Sequence, residues 1–381
     1  MYAAKRPFSR PIIFLLIVAS FLLAACGVEL PNANWPGLSA VGDVVYLASG
    51  QQVIAFDVAQ QSQTWRFTGE RSAAIFAAPA VDAEGVVLGD YGASAGMFSP
   101  KLIVHLYGLA EQAETPTIVW QQNELATDKI VAPPLIVENR VFIGTSDGKL
   151  LALDRMSGAP LWETPYVAGN AIWGQPAYAD GIVYVATVGG RVHAVEAETG
   201  LENGRWQTSG AIADTPIITD KYIFVGSFDN LLHALDRSQT GVEVWSYPAG
   251  GWIWGAPAVA DGVVYFGDLN GNFFAVEADN GRLLWEKSVT GSIQTRPVVA
   301  DGVVYIVSQG NPEMQRGQIT AFATENGAQL WQQEAPAEVF TTPVLIGDFL
   351  VAALHNSQDN LLVGFSRENG SQQWTFAPAG R

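Results

Sequence analysis

One cysteine, Cys26, and four histidines, His105, His193, His233 and His355, are the side chains of this 381-residue chain best suited to covalent or metal chemistry. Cys26 closes the run Leu23-Ala24-Ala25-Cys26. Before it come ten residues with Lys5, Arg6, Arg10 and no acid, then an apolar stretch from Pro11 to Ala25. Those charges and that core read as a signal peptide over residues 1–25. The small residues ahead of the cysteine resemble a lipobox, in which they fit a peptidase pocket and the thiol accepts a diacylglycerol. About fifteen apolar residues are short for a membrane span. Lipidation of Cys26 is therefore expected, with residues 26–36 as a tether; each buried methylene of the acyl chains contributes roughly 0.8 kcal/mol to the anchor. The expected location is the periplasmic face of an outer membrane or the outer cell surface. Cleavage removes three positive charges and no negative ones, so the formal charge moves from −17 to −20. Such an acidic body repels phosphate backbones, which argues against nucleic acid as a partner.

The remaining candidate chemistry is sparse. His193 and His233 occupy equivalent sites in neighbouring sequence repeats, where other copies carry Ile54, Tyr107, Leu151, Phe274, Thr320 or Val363. Equivalent sites in adjacent units lie too far apart to share an ion, so no metal site is expected. Acidic turns at Glu198-Thr199-Gly200, Asp279-Asn280-Gly281, Glu325-Asn326-Gly327 and Glu368-Asn369-Gly370 could suggest calcium. They read more simply as hairpin tips whose short polar side chains bond the turn backbone. The chain carries no glycine-rich phosphate loop, His-Glu helix or nucleophile elbow, and no catalytic residue is expected.

The elements that must position any site are repeats. Pro257-Ala-Val-Ala-Asp-Gly-Val-Val-Tyr-Phe and Pro176-Ala-Tyr-Ala-Asp-Gly-Ile-Val-Tyr-Val are one unit written twice. Two positions recur in eight copies. A small residue stands at Ala55, Gly108, Ala152, Ala194, Ala234, Ala275, Ala321 and Gly364. A tryptophan follows each, at Trp65, Trp120, Trp162, Trp206, Trp245, Trp285, Trp331 and Trp374. The expectation is packing: a hollow over the small residue of one sheet filled by an indole from its neighbour. Each unit of about 43 residues reads as four strands, and such meanders repeated radially make a propeller. In one copy the runs are Ala258 to Ala260, Val263 to Gly267, Phe273 to Glu277 and Leu283 to Lys287, with Asp261-Gly262 and Asn270-Gly271 closing tight hairpins. The predicted class is all-β, an eight-bladed β-propeller of four-stranded antiparallel blades over residues 37–381. Val28 to Trp35 is either a strand across the closing seam or simply tether.

The unit with Asp-Gly-Val-Val-Tyr, an Asx-Gly turn, Leu150-Leu-Ala-Leu-Asp154, then a glycine and a tryptophan, resembles the pyrroloquinoline-quinone-like repeat, over about 340 of the 381 residues. That family includes quinoprotein dehydrogenases and scaffold proteins. Length, blade count and lipobox make the chain similar to the scaffolds, the outer-membrane assembly lipoproteins of the BamB family. The resemblance implies a cofactor-free, non-enzymatic monomer whose partner is an envelope protein or an extended peptide. The dehydrogenases are implied to be longer, with adjacent cysteines near the quinone and a calcium ion; here the sole cysteine is Cys26.

Propeller topology puts the approach to each first strand and the hairpin between the second and third strands on one face. On that face the hairpins expand at Asp90 to Lys101, Gln309 to Gln318 and His355 to Asn360, and variation on a rigid frame marks binding loops. The approach carries an aliphatic residue at Ile75, Ile130, Ile172, Ile212, Ile253, Ile293 and Val339. The next residue is large in alternate blades, at Phe76, Trp173, Trp254 and Phe340, and is Val131, Ala213 or Gln294 between them. This ring is expected to line the mouth of the central channel, with Trp252, Asp214 and Arg296 nearby. It either plugs a wide channel or offers a platform to an extended peptide, a glycan or another hydrophobic ligand.

Overall fold

Asp261 and Gly262 both adopt left-handed backbone conformations, with φ of 49° and 75°, as a two-residue hairpin between right-twisted strands requires. Asp180-Gly181 and Asp301-Gly302 repeat the pair of angles. The next turn is longer than Asn270-Gly271 alone suggests: one strand ends at Gly267 and the following strand begins at Asn272. Fully buried Asp268 fills that turn. Its carboxylate accepts the backbone N–H groups of Asn270 at 3.0 Å and Asn272 at 2.8 Å.

The computed structural model describes residues 35–378 except 71–72, 95, 97–100, 112–114, 312, 356 and 358–359. The expected signal peptide and Cys26 lie outside the described residues. Eight four-stranded antiparallel sheets follow one another over residues 37–68, 80–122, 135–167, 177–207, 217–248, 258–288, 298–334 and 344–376, here blades 1 to 8. In blade 6 the strands are Ala258–Ala260, Val263–Gly267, Asn272–Glu277 and Leu283–Ser288. First strands of neighbouring blades lie side by side, and Gly37–Val41 of blade 1 meets both Ala80–Asp82 of blade 2 and Val344–Ile346 of blade 8. The first strands therefore surround the axis, and the ring is closed. This is the eight-bladed β-propeller that the repeats predict.

Among the described residues no strand is exchanged at the seam, because each sheet draws all four strands from one copy of the repeat. Closure rests on side chains: Leu38, Leu47, Ile54 and Phe56 of blade 1 pack against Ile346, Val351 and Trp374 of blade 8. The Thr341 hydroxyl adds a hydrogen bond to the Pro36 carbonyl. Trp35 belongs to no strand, and residues 28–34 are outside the described residues.

Seven of the eight recurrent tryptophans are buried and Trp245 is half-buried. Their packing partner corrects the expectation. In six blades the small residue is the indole's cross-strand neighbour within the same sheet, as where Ala55 faces Trp65, Ala275 faces Trp285 and Gly364 faces Trp374, whereas in blade 4 Ala194 faces Gly204. Directly opposed residues sit only about 5 Å apart on a sheet, so a broad ring covers its own neighbour before reaching the next blade. What the indole meets there is the left-handed glycine of the turn between the third and fourth strands. Gly158 receives Trp120, Gly200 receives Trp162, Gly281 receives Trp245, Gly327 receives Trp285 and Gly370 receives Trp331. Six indole N–H groups then donate to carbonyls at or near that turn, those of Arg155, Ala197, Asp236, Ala278, Thr324 and Arg367. In blade 3 the fourth strand shrinks to Tyr166–Val167. Pro160 and Pro165 flank Trp162 there, and neither can donate to the ladder.

Candidate binding face

The approach segments are held by a second recurring lock, on the face opposite the tryptophan turns. Each isoleucine N–H donates to a carbonyl of the preceding blade's hairpin: Ile172 to Thr145 at 3.1 Å, Ile253 to Ser227 at 3.2 Å and Ile293 to Asp268 at 3.0 Å. Where that blade's second strand ends in glycine, the side chain fills the space the glycine leaves, with Ile172 against Gly144, Ile253 against Gly226 and Ile293 against Gly267. The isoleucines are buried. The hairpin residue is pinned as well, since the Phe228 N–H donates to Ala211 at 2.9 Å and the Leu269 N–H to Trp252 at 2.9 Å.

At the mouth, Trp173 of blade 4 and Trp254 of blade 6 stack with ring centroids 6.5 Å apart and planes 29° off parallel. Their blades are not neighbours, so the contact crosses the mouth. Trp254 also touches Phe228 at 5.2 Å and, edge-on, Trp35 at 6.1 Å. Trp35 continues to Phe340 at 6.1 Å, and Phe340 meets His355 edge-on at 4.9 Å. Trp252 lies parallel on Phe228, 4.9 Å away and 4° from coplanar. Rings therefore meet across the mouth, while Trp35, Trp173 and Trp252 remain exposed.

The other predicted residues divide. Phe76 stands apart, edge-on to Tyr91 at 4.6 Å, with the Lys129 ammonium 4.5 Å above the same Tyr91 ring. Gln294 bonds within its own segment, to the Ser292 hydroxyl at 3.4 Å. Asp214 braces blades 5 and 6, accepting the N–H groups of Thr215 at 2.7 Å and Ala256 at 2.8 Å. Arg296 has its N–H bonded to the Thr342 hydroxyl at 3.1 Å, while its side chain is exposed. Surrounding protein pushes the guanidinium pKa down and the Asp214 carboxylate opposes that shift.

Sequence reading missed Phe228, Tyr91, His355 and Trp35. A signal existed for three of them: each follows the buried residue just past the end of the second strand, at Ser227, Asp90 and Leu354. That register points its side chain at the approach segment of the next blade. Trp35 had no such signal.

The histidines are engaged locally. His105 Nδ1 bonds Asp90 at 2.8 Å; His193 Nδ1 meets the Tyr166 hydroxyl at 2.8 Å and Glu202 at 3.2 Å; His233 lies between Asp229 and Glu243. Burial lowers the His193 pKa against the opposing pull of Glu202. Among the described residues, no three His, Cys, Asp or Glu side chains are placed to hold a metal ion. The acidic turns do serve as hairpin tips, with Asn280 accepting from the Arg282 N–H and Asn369 from the Ser371 N–H.

The family model described as outer membrane protein assembly factor BamB matches residues 108–203 and 239–375. The assembly factor of that name from Moranella endobia is 28% identical over 193 residues, 47% of this chain and 48% of that one. The chain thus spans about half the length of the curated relatives it matches. A quinohemoprotein alcohol dehydrogenase of Pseudomonas putida is 33% identical over 135 residues, 29% of this chain and 19% of the enzyme. Among solved structures, BamB from Moraxella catarrhalis shares the fold with a TM-score of 0.61 and 21% identity, over 79% of this chain and 85% of that one.

Proposed function

The chain belongs to the family of the outer membrane protein assembly factor BamB, and from that footing we propose that it is a non-catalytic, lipid-anchored scaffold of envelope protein assembly. The observation that carries this reading is the aromatic mouth: a rigid ring presents Trp173, Trp252 and Trp35 to solvent on one face. Partly exposed aromatic clusters on a fixed frame are what protein recognition surfaces are made of. A lipid on Cys26 would sit nine residues before Trp35, and extended chain covers at most about 30 Å over that distance. The tether would hold the mouth toward the membrane, where envelope partners assemble.

Photo-crosslinking in cells from positions 173 and 252 tests the proposal. A component of the barrel-assembly machinery is the expected product; recovery of unrelated surface proteins alone would overturn the assembly role. One feature favours a second reading, a surface receptor for a glycan. Trp252, half exposed at 50% and parallel to Phe228, offers the flat face on which a sugar ring stacks. Binding on a glycan array that Trp252→Ala abolishes would favour the receptor. The dehydrogenase reading draws only on the shared 135-residue stretch; purified protein supplied with quinone and calcium is expected to show no dye-linked oxidation.

A further inference from the structure

Trp35 belongs by sequence to the segment ahead of blade 1, yet its ring packs on Trp254 of blade 6 and Phe340 of blade 8. It reaches over the mouth from the rim. Pro36 follows it, and a residue before proline is steered to extended backbone. The Thr341 hydroxyl then holds the Pro36 carbonyl. What lies in the mouth is one aromatic side chain, carried just ahead of the first strand of blade 1.

Most of the seat is built without its occupant: the contacts of Trp173 with Trp254, Trp254 with Phe228, Phe228 with Trp252 and Phe340 with His355 do not include Trp35. Trp35 is itself 47% exposed, and its centroid distances of 6.1 Å lie at the loose end of aromatic pairing. Its contacts are of ring edge and face, and among the described residues its indole N–H has no hydrogen-bond acceptor. The seat therefore reads the ring, not a polar group on it.

We propose that the mouth is a receptor for a single aromatic side chain presented on an extended segment of a partner protein, and that Trp35 is its resident, displaceable occupant. This rests on the reading of the face as a binding surface and names the chemistry it takes. A tethered occupant competes at an effective concentration on the order of millimolar, so only a partner that outbids it, by affinity or by several contacts, enters.

The probe is an acetylated, amidated pentapeptide copying residues 33–37, Ala-Asn-Trp-Pro-Gly, titrated into the purified full-length protein in detergent. Trp35→Ala is expected to bind it at least about tenfold more tightly than wild type, because the tethered competitor is gone. Replacing the peptide's Trp by Ala should abolish binding, and so should adding Trp254→Ala to the protein. Equal affinity in wild type and Trp35→Ala, or equal binding of both peptides, would overturn the proposal. If Trp35→Ala does not fold, wild type labelled with 5-fluorotryptophan gives the answer: saturating peptide must move the Trp35 and Trp254 resonances and leave that of Trp285 in place. Unmoved Trp35 and Trp254 would overturn it. Peptide capture without any envelope crosslink from positions 173 and 252 would leave this inference standing and remove the assembly role. The converse pattern would do the reverse.

Discussion

Trp120 presses on Gly158 of the following blade so closely that a methyl group on Gly158 would come within 2.5 Å of the indole carbon Cδ2. Gly158 also holds a φ of 67°, so two costs coincide at one position. Gly262 separates them: its φ is 75° and nothing lies within 4 Å of an added methyl. Gly262→Ala is expected to lose about 1–2 kcal/mol, the left-handed backbone penalty alone. Gly158→Ala should lose a further 1–3 kcal/mol or so from overpacking. Urea denaturation midpoints at unchanged slope measure both, and equal losses would show that the indole gives way freely.

Trp331 donates its indole N–H to the Arg367 carbonyl at 3.0 Å, whereas the buried N–H of Trp374, at the seam with blade 1, has no acceptor among the described residues. Phenylalanine removes the N–H from either site and keeps an aromatic ring. Trp331→Phe is therefore expected to be about 1 kcal/mol more destabilising than Trp374→Phe, the difference being one hydrogen bond and the carbonyl it leaves unpaired. The same denaturation series decides it, and a costlier Trp374→Phe would mean that the seam indole is bonded in solution.

Acid should weaken the fold partly through His193. Burial holds its pKa below the ordinary 6.5, and Glu202 opposes this only in part. The unfolded chain then takes up the proton more readily than the folded one. The stability contributed by the neutral ring is present above pH 6.5 and lost as pH falls below that value toward the folded pKa. Glu202 acts in the same sense at lower pH. Burial raises its pKa, but the bonds from His193 and Tyr166 and the nearby Arg205 outweigh that and leave it below the usual glutamate value. Between pH 7 and 5, wild type should lose stability more steeply than His193→Phe. Parallel curves would remove His193 from the account.

The double change Trp173→Ala with Trp254→Ala removes the contact that crosses the mouth. Neither residue is buried, so the loss of stability should stay below the 3–5 kcal/mol or so of a buried tryptophan, and the circular dichroism spectrum should be unchanged. Capture of the envelope partner is expected to fall by about tenfold or more, as for central hot-spot residues. Unchanged capture by a folded double variant would place the partner surface elsewhere on the ring.

The blades were legible because every interaction that makes one is local and repeated. Asp261-Gly262 announces a hairpin through its own backbone preference, and Ala275 with Trp285, ten residues apart, marks a blade by its recurrence, although their pairing across adjoining strands came only from the structure. The alternation of Phe76, Trp173, Trp254 and Phe340 was legible for the same reason, being a repeat position read seven times. Its outcome was not. Phe76 left the cluster to pair with Tyr91, and Phe228 entered it from a hairpin.

The sequence by itself determined the class of fold, the number of blades and the face on which the large side chains gather, since strand period, turn chemistry and repeat length are all properties of short stretches. Only the tertiary structure decided which glycine each indole rests on and which rings meet. Contacts such as Trp35 with Phe340 join residues from opposite ends of the repeat series. Such distances are set when eight sheets close on themselves, and no periodicity along the chain encodes which side chains then meet across the axis.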